Sequence, residues 1–235
     1  MIGFFYKDLI KSKAMMFAIG IISIIVYFFF VFSMFLATEE ADNPYIYSVI
    51  TNYLTFLLID WAIQDSYVGE TNIIWQSFVM STPGTMKAQI QSKFCLTIFW
   101  NLCMLIFCEL ENAIVCVLFH DISILLYIVP VLLVCWNMVK AATIFPFIYI
   151  FGIKQANSVK TAFFACVFGL IIIYGLFGDI SWALEGNVLE NIRTFFLDGN
   201  GVWFLRLFPC FSVGLFYVSY RICLLVYRKG LELNE

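Results

Sequence analysis

Long uncharged runs alternate along this chain with short stretches that hold most of its charges. Ala14 to Ala37 is 24 residues without a charge. A helix needs about 20 apolar residues to cross about 30 Å of hydrocarbon. That requirement places a first span at 14–37 and further spans at about 43–63, 94–119, 122–151, 161–178 and 202–227. Asp60 lies in the second, Glu109 and Glu111 in the third, Lys140 in the fourth, and Arg206 near one end of the sixth. Pro130 and Pro146 are expected to break the fourth span. Only His120-Asp121 marks the boundary between the third and fourth.

Between the spans the pattern is amphipathic. Residues 2–11 carry an apolar stripe of Ile2, Phe5, Tyr6, Leu9 and Ile10, with Lys7, Asp8 and Lys11 facing away, so an in-plane helix is expected before the chain turns into the first span. In the loop 64–93, Thr71 or Asn72 can cap a short helix that presents Ile74, Trp75, Phe78 and Val79. Thr82-Pro83-Gly84-Thr85 then reads as a turn. That helix docks either on a cytoplasmic partner or on the lipid surface. Segment 179–201 repeats the helical spacing with Val188, Leu189, Ile192, Phe195 and Phe196, opposite Glu185, Glu190 and Arg193. Gly199-Asn200-Gly201 ends it.

Composition agrees with the pattern. The 235 residues are 63% hydrophobic and 12% charged, and mean hydropathy is +0.95. A soluble domain carries about 25% charged residues, so this chain has about half the charge needed to face water. The reading is an all-α integral membrane protein forming one transmembrane domain, 1–235. Net charge is −3, and no basic block points to nucleic acid. Of the thirteen Lys and Arg residues, Lys7, Lys11, Lys13, Lys87, Lys93, Lys154, Lys160, Arg221, Arg228 and Lys229 fall on one side of the six-span topology. The positive-inside rule makes that side cytoplasmic and puts both termini there, in a multi-pass protein of the cell membrane. The eight cysteines form no C-x-x-C pair and read as small apolar packing residues. The lone His120 lacks companions at ligand spacing, so no metal site is expected, and no catalytic set is in view.

Charge within a span costs at least about 2.5–3.5 kcal/mol on insertion scales and needs a partner or water. Counting 1.5 Å per residue puts Asp60 about 24 Å and Lys140 about 27 Å from the outer surface. They either pair between the second and fourth helices, or Asp60 reaches the headgroups while Lys140 snorkels. Glu109 and Arg206 share a depth in the outer third. Glu109 and Glu111 are separated by about 200° around their helix, so one can meet Arg206 while the other faces an outer vestibule suited to releasing a cationic peptide. Plain anchoring of the helix end is the alternative.

Three stretches in order carry a resemblance. They are Phe5-Tyr6-Lys7-Asp8-Leu9 before the first span; Glu70, Trp75, Pro83 and Lys93 between the second and third; and Pro146-Phe147-Ile148-Tyr149-Ile150-Phe151-Gly152-Ile153-Lys154 ending the fourth. With the amphipathic segment before the last span, the chain resembles the transmembrane subunit of type-2 ABC transporters. Among these it is most similar to bacterial permeases that export amphipathic peptides such as phenol-soluble modulins, or that give self-immunity against peptide antibiotics. The family often carries a basic residue after the loop proline, where this chain has Gly84-Thr85-Met86-Lys87. The resemblance implies a homodimer of permeases served by two ATPase subunits that bind ATP and Mg. The coupling helix would be formed around Glu70, Ile74, Trp75, Phe78, Val79, Pro83 and Gly84. This chain has no G-x-x-x-x-G-K-[ST] and cannot cradle nucleotide phosphates itself. An ATP-independent secondary transporter or channel stays open beside this reading, as does a membrane scaffold or sensor. A transporter of the secondary type often repeats its halves, and no internal repeat is found.

Overall fold

The computed structural model describes residues 2–36, 49–58, 63, 85–119, 124–177, 191, 194, 199 and 201–232. Among them the regular elements are all helices. These are α1 (Ile2–Leu36), α2 (Val49–Leu58), α3 (Thr85–Phe119), α4 (Ile124–Phe151), α5 (Ile153–Phe177) and α6 (Gly201–Glu232). Five are long and apolar enough to cross a membrane: α1, α3, α4, α5 and α6. The second expected span, 43–63, is represented by α2 and Ile63, and its other residues lie outside those described. The chain divides into two compact units, Met1–Met138 with Tyr227–Glu235, and Val139–Val226.

α1 corrects the expectation of a separate in-plane helix. Its 35 residues form one uninterrupted helix, about 52 Å long at 1.5 Å per residue. No turn separates residues 2–11 from the span. The expected faces also fail at Asp8, although Lys11 is exposed as expected. Ile2 and Tyr6 are exposed, whereas Asp8 is completely buried. The buried residues of α1 are Asp8, Ser12, Met16, Ile19, Ser23 and Tyr27, three or four apart along one face. Four of these six, Asp8, Ser12, Ser23 and Tyr27, are charged or hydrogen-bonding, whereas the exposed large side chains from Phe17 onward are apolar. This inverts a soluble helix, because hydrocarbon surrounds the bundle and polar groups must find partners inside it.

Paired residues give the direction of each helix in the first unit. Asp8 meets Ser92, Ser12 meets Trp100 and Tyr27 meets the Glu111 carbonyl, so α1 and α3 run parallel. Asn52 meets Asn112, while Asn137 meets both the Phe56 carbonyl and Asn101, so α2 runs antiparallel to α3. Asn112 also reaches the Leu126 carbonyl, which makes α4 antiparallel to α3. The result is an up-down-up-down order. Ser23 and Thr55 add a hydroxyl pair at 2.9 Å between α1 and α2.

α4 corrects a second expectation. It is continuous through Pro130 and Pro146, both of them buried. Pro130 has no N–H to donate to the Leu126 carbonyl, which sits four residues earlier. Asn112 of α3 donates its Nδ2 to that carbonyl instead, at 2.8 Å. The helix therefore survives its proline because a neighbouring helix satisfies the freed acceptor.

In the second unit, α4 meets α5 at a one-residue corner. Gly152 has φ +84°. Its N–H donates to the Ile148 carbonyl and its own carbonyl accepts from Ala156, so it closes one helix and opens the next. A Cβ there would meet nothing within 4 Å, which leaves backbone strain as the whole penalty. Gly152→Ala is expected to lose about 1–2 kcal/mol, read as a lower unfolding midpoint in micelles. α6 follows a Gly199 whose amide reaches back to the Thr194 carbonyl at 2.9 Å, a bond of the helix-closing type expected there. Phe145 of α4 packs near Phe216 of α6, with ring centroids 6.4 Å apart.

Candidate functional site

The best-defined polar centre joins the first turns of α1 to those of α3. Lys93 Nζ lies 3.1 Å from Asp8 Oδ1, and neither side chain has any solvent exposure. This contact is Coulombic, since Oδ1 has no donor in hydrogen-bond geometry. Lys7, partly exposed, approaches the same oxygen at 3.7 Å. Ser92 Oγ donates to Asp8 Oδ2 at 3.1 Å. Ser12, one turn further along α1, donates to the Asp8 carbonyl and accepts from Trp100 Nε1 at 3.0 Å. Phe5 and Phe99 flank the centre edge to face at 6.0 Å.

The sequence placed Asp8 on the face away from the apolar stripe and counted Lys93 among the cytoplasmic-side charges. The structure corrects the first by burying Asp8, and it buries Lys93 as well. Either ion alone would be costly to bury, but together they cancel charge, and the hydroxyl of Ser92 supplies a donor to the carboxylate. A signal for this was present. Gln89, Lys93, Thr97, Asn101 and Asn112 recur at helical spacing in α3, and all are buried. In an apolar helix the recurring polar residues, rather than the apolar ones, mark the inward face.

Two further polar layers stack along the first unit. Asn137 Nδ2 reaches Asn101 Oδ1 and the Phe56 carbonyl, both at 3.4 Å. Beyond it, Asn52 donates to Asn112 Oδ1 at 3.2 Å. At the far end Tyr27, Val115, Cys116 and Leu126 close the unit with apolar contacts.

The residues expected to couple to an ATPase, Glu70, Ile74, Trp75, Phe78, Val79, Pro83 and Gly84, lie outside the described residues, and so does Asp60. The Asp60–Lys140 pairing therefore lies outside them too. Lys140 itself is buried on α4. Glu111 points inward and is buried, and its carboxylate oxygens have no hydrogen-bond partner among the described residues. Glu109 is only partly buried, in line with the angular separation of the two. Arg206 belongs to the other unit, where its guanidinium lies 5.9 Å from the Trp203 ring centre. All eight cysteines are unpaired, and Cys166 and Cys210 are exposed.

The arrangement offers long apolar helices, a polar interior without solvent-exposed catalytic groups among the described residues, and a charged tie at one end. Such a body suits conformational work within a bilayer. No curated protein and no solved structure matches the chain. The family model described as ABC-2 family transporter protein matches residues 3–228. The chain therefore belongs to the ABC-2 transporter family, as a multi-pass membrane permease component that is not itself catalytic and that works with ATPase subunits.

Proposed function

We propose that this chain is the permease of an ATP-driven exporter that moves amphipathic peptides or similar hydrophobic cargo out of the cell. Two copies pair, and two separate ATPase subunits bind ATP and Mg and supply the work. The match over residues 3–228 supports the permease part of this reading, and the lack of any phosphate-cradling motif in the chain is consistent with it. The excess of Lys and Arg on one side supports a cytoplasmic position for both termini. The loop 64–93 is then cytoplasmic, and its short helix, with Glu70, Trp75, Phe78 and Pro83, receives the ATPase motion.

The Asp8–Lys93 tie supports this route. Lys93 stands on α3, which follows that loop, and its buried partner sits on α1. A displacement passed through the loop into α3 is thereby shared with α1 rather than lost in the first turns. The 27 Phe among 235 residues suit apolar cargo better than ions or sugars.

The test is the double variant Trp75→Ala with Phe78→Ala, reconstituted with its ATPase. Burying two aromatic side chains in a partner's groove makes a binding hot spot, and each truncation costs about 2 kcal/mol or more. Cargo-stimulated ATP hydrolysis is expected to fall at least about tenfold while the permease stays folded. Wild-type stimulation in that variant would remove the coupling role.

A further inference from the structure

A groove of about 380 Å³ opens between α1 and α3, on the flank of the first unit. Lys13, Phe17, Gly20, Ile24, Trp100 and Phe107 are among the residues that line it. Apart from Lys13 and the indole of Trp100 the walls are apolar, and the Trp100 N–H is already committed to Ser12. Lys13 is exposed and has no ion-pair partner among the described residues. It is the last charge before the uncharged run from Ala14 to Ala37, so it stands where hydrocarbon gives way to headgroups.

The groove's length identifies what fits it. From Lys13 to Ile24 the helix rises about 16 Å at 1.5 Å per residue. Half of a hydrocarbon core of about 30 Å is one leaflet. A slot that starts at a cation at headgroup depth and ends at the bilayer midplane has the dimensions of one acyl chain below one anionic headgroup. Gly20 keeps the slot open, since a Cβ there would meet nothing within 4 Å. We infer that this groove is a binding site for a single anionic phospholipid, with its phosphate on Lys13 and one acyl chain along Phe17, Gly20 and Ile24.

The experiment uses the full chain in nanodiscs of equimolar phosphatidylglycerol and phosphatidylcholine, followed by native mass spectrometry of the lipids it retains. Wild type is expected to keep one phosphatidylglycerol per chain with about a fivefold preference, the scale of one lysine near an anionic surface. Lys13→Gln is expected to keep a lipid but lose the preference. Gly20→Phe fills the slot and is expected to keep neither lipid, whereas Gly169→Phe, on α5 and equally open, retains the wild-type pattern. A second measurement needs no change at Gly20. Phosphatidylglycerol with brominated chains is expected to quench the fluorescence that Trp100→Phe removes, and more strongly than brominated phosphatidylcholine. Preference unchanged in Lys13→Gln, retention unchanged in Gly20→Phe, or no quenching of the Trp100 component would overturn the site. So would stoichiometric displacement of the lipid by an amphipathic peptide, which would make the groove a cargo site.

Discussion

Lys93→Met is expected to destabilise the folded chain by about 3–5 kcal/mol, more than any other single substitution proposed for this protein, because it leaves the Asp8 carboxylate buried without its cation. Ser92 remains as a donor to Asp8 Oδ2, but one neutral hydroxyl does not replace a full charge, and Lys7 stands further off at 3.7 Å. Neutral bonds between membrane helices average about 0.6 kcal/mol and reach about 1.7. Deleting the Ser23–Thr55 pair should therefore matter far less. The double variant Asp8→Leu with Lys93→Met removes both ions together and should recover most of the loss, since apolar replacement of a buried pair is often neutral. The Gln89 carbonyl lies 2.8 Å from Ser92 Oγ as an alternative acceptor for its single O–H, so the hydroxyl is not orphaned by that change. Unfolding midpoints in mixed micelles distinguish the outcomes. A Lys93→Met protein as stable as wild type would show that the ion pair does not hold α1 to α3.

The second large effect concerns the proline of α4. Asn112→Ala strips the Leu126 carbonyl of its donor and the Asn52 amide of its acceptor. Leaving buried polar groups unpaired costs about 1–3 kcal/mol. Pro130→Ala restores an N–H that can close on Leu126 within α4 itself. In that background the same Asn112→Ala change should cost measurably less, and a double-mutant cycle reads the difference as coupling of at least about 0.5 kcal/mol. Additive effects would show that Asn112 is not there to satisfy the acceptor freed by the proline.

These two centres show what the sequence conceals. Lengths of predominantly apolar runs locate α1, α3, α4, α5 and α6, because bilayer thickness fixes how many apolar residues a crossing needs. They say nothing about which way a polar residue points. Asp8 and Lys7 are adjacent, yet Asp8 is sealed while Lys7 is partly exposed. An apolar stripe in residues 2–11 suggested a separate helix floating on headgroups, but these residues are the first turns of one continuous α1. Pro130 looked like a break because its remedy, Asn112, is 18 positions away along the chain and belongs to another helix. The inward face of α3 was legible in principle from Gln89, Lys93, Thr97 and Asn101. The partner of each was not, since pairing depends on how α1, α2 and α4 settle around it. Glu109 and Glu111 were separable from helix geometry alone, and the structure turns Glu111 inward.

Whether a separate ATP-hydrolysing subunit drives this permease is tested most directly by cargo accumulation in inside-out vesicles that contain the assembled complex, with an amphipathic peptide as probe. Uptake that requires hydrolysable ATP, fails with a non-hydrolysable analogue, and disappears when the ATPase subunit is omitted is the predicted result. Uptake that follows an ion gradient and persists without ATP or any ATPase subunit would contradict it.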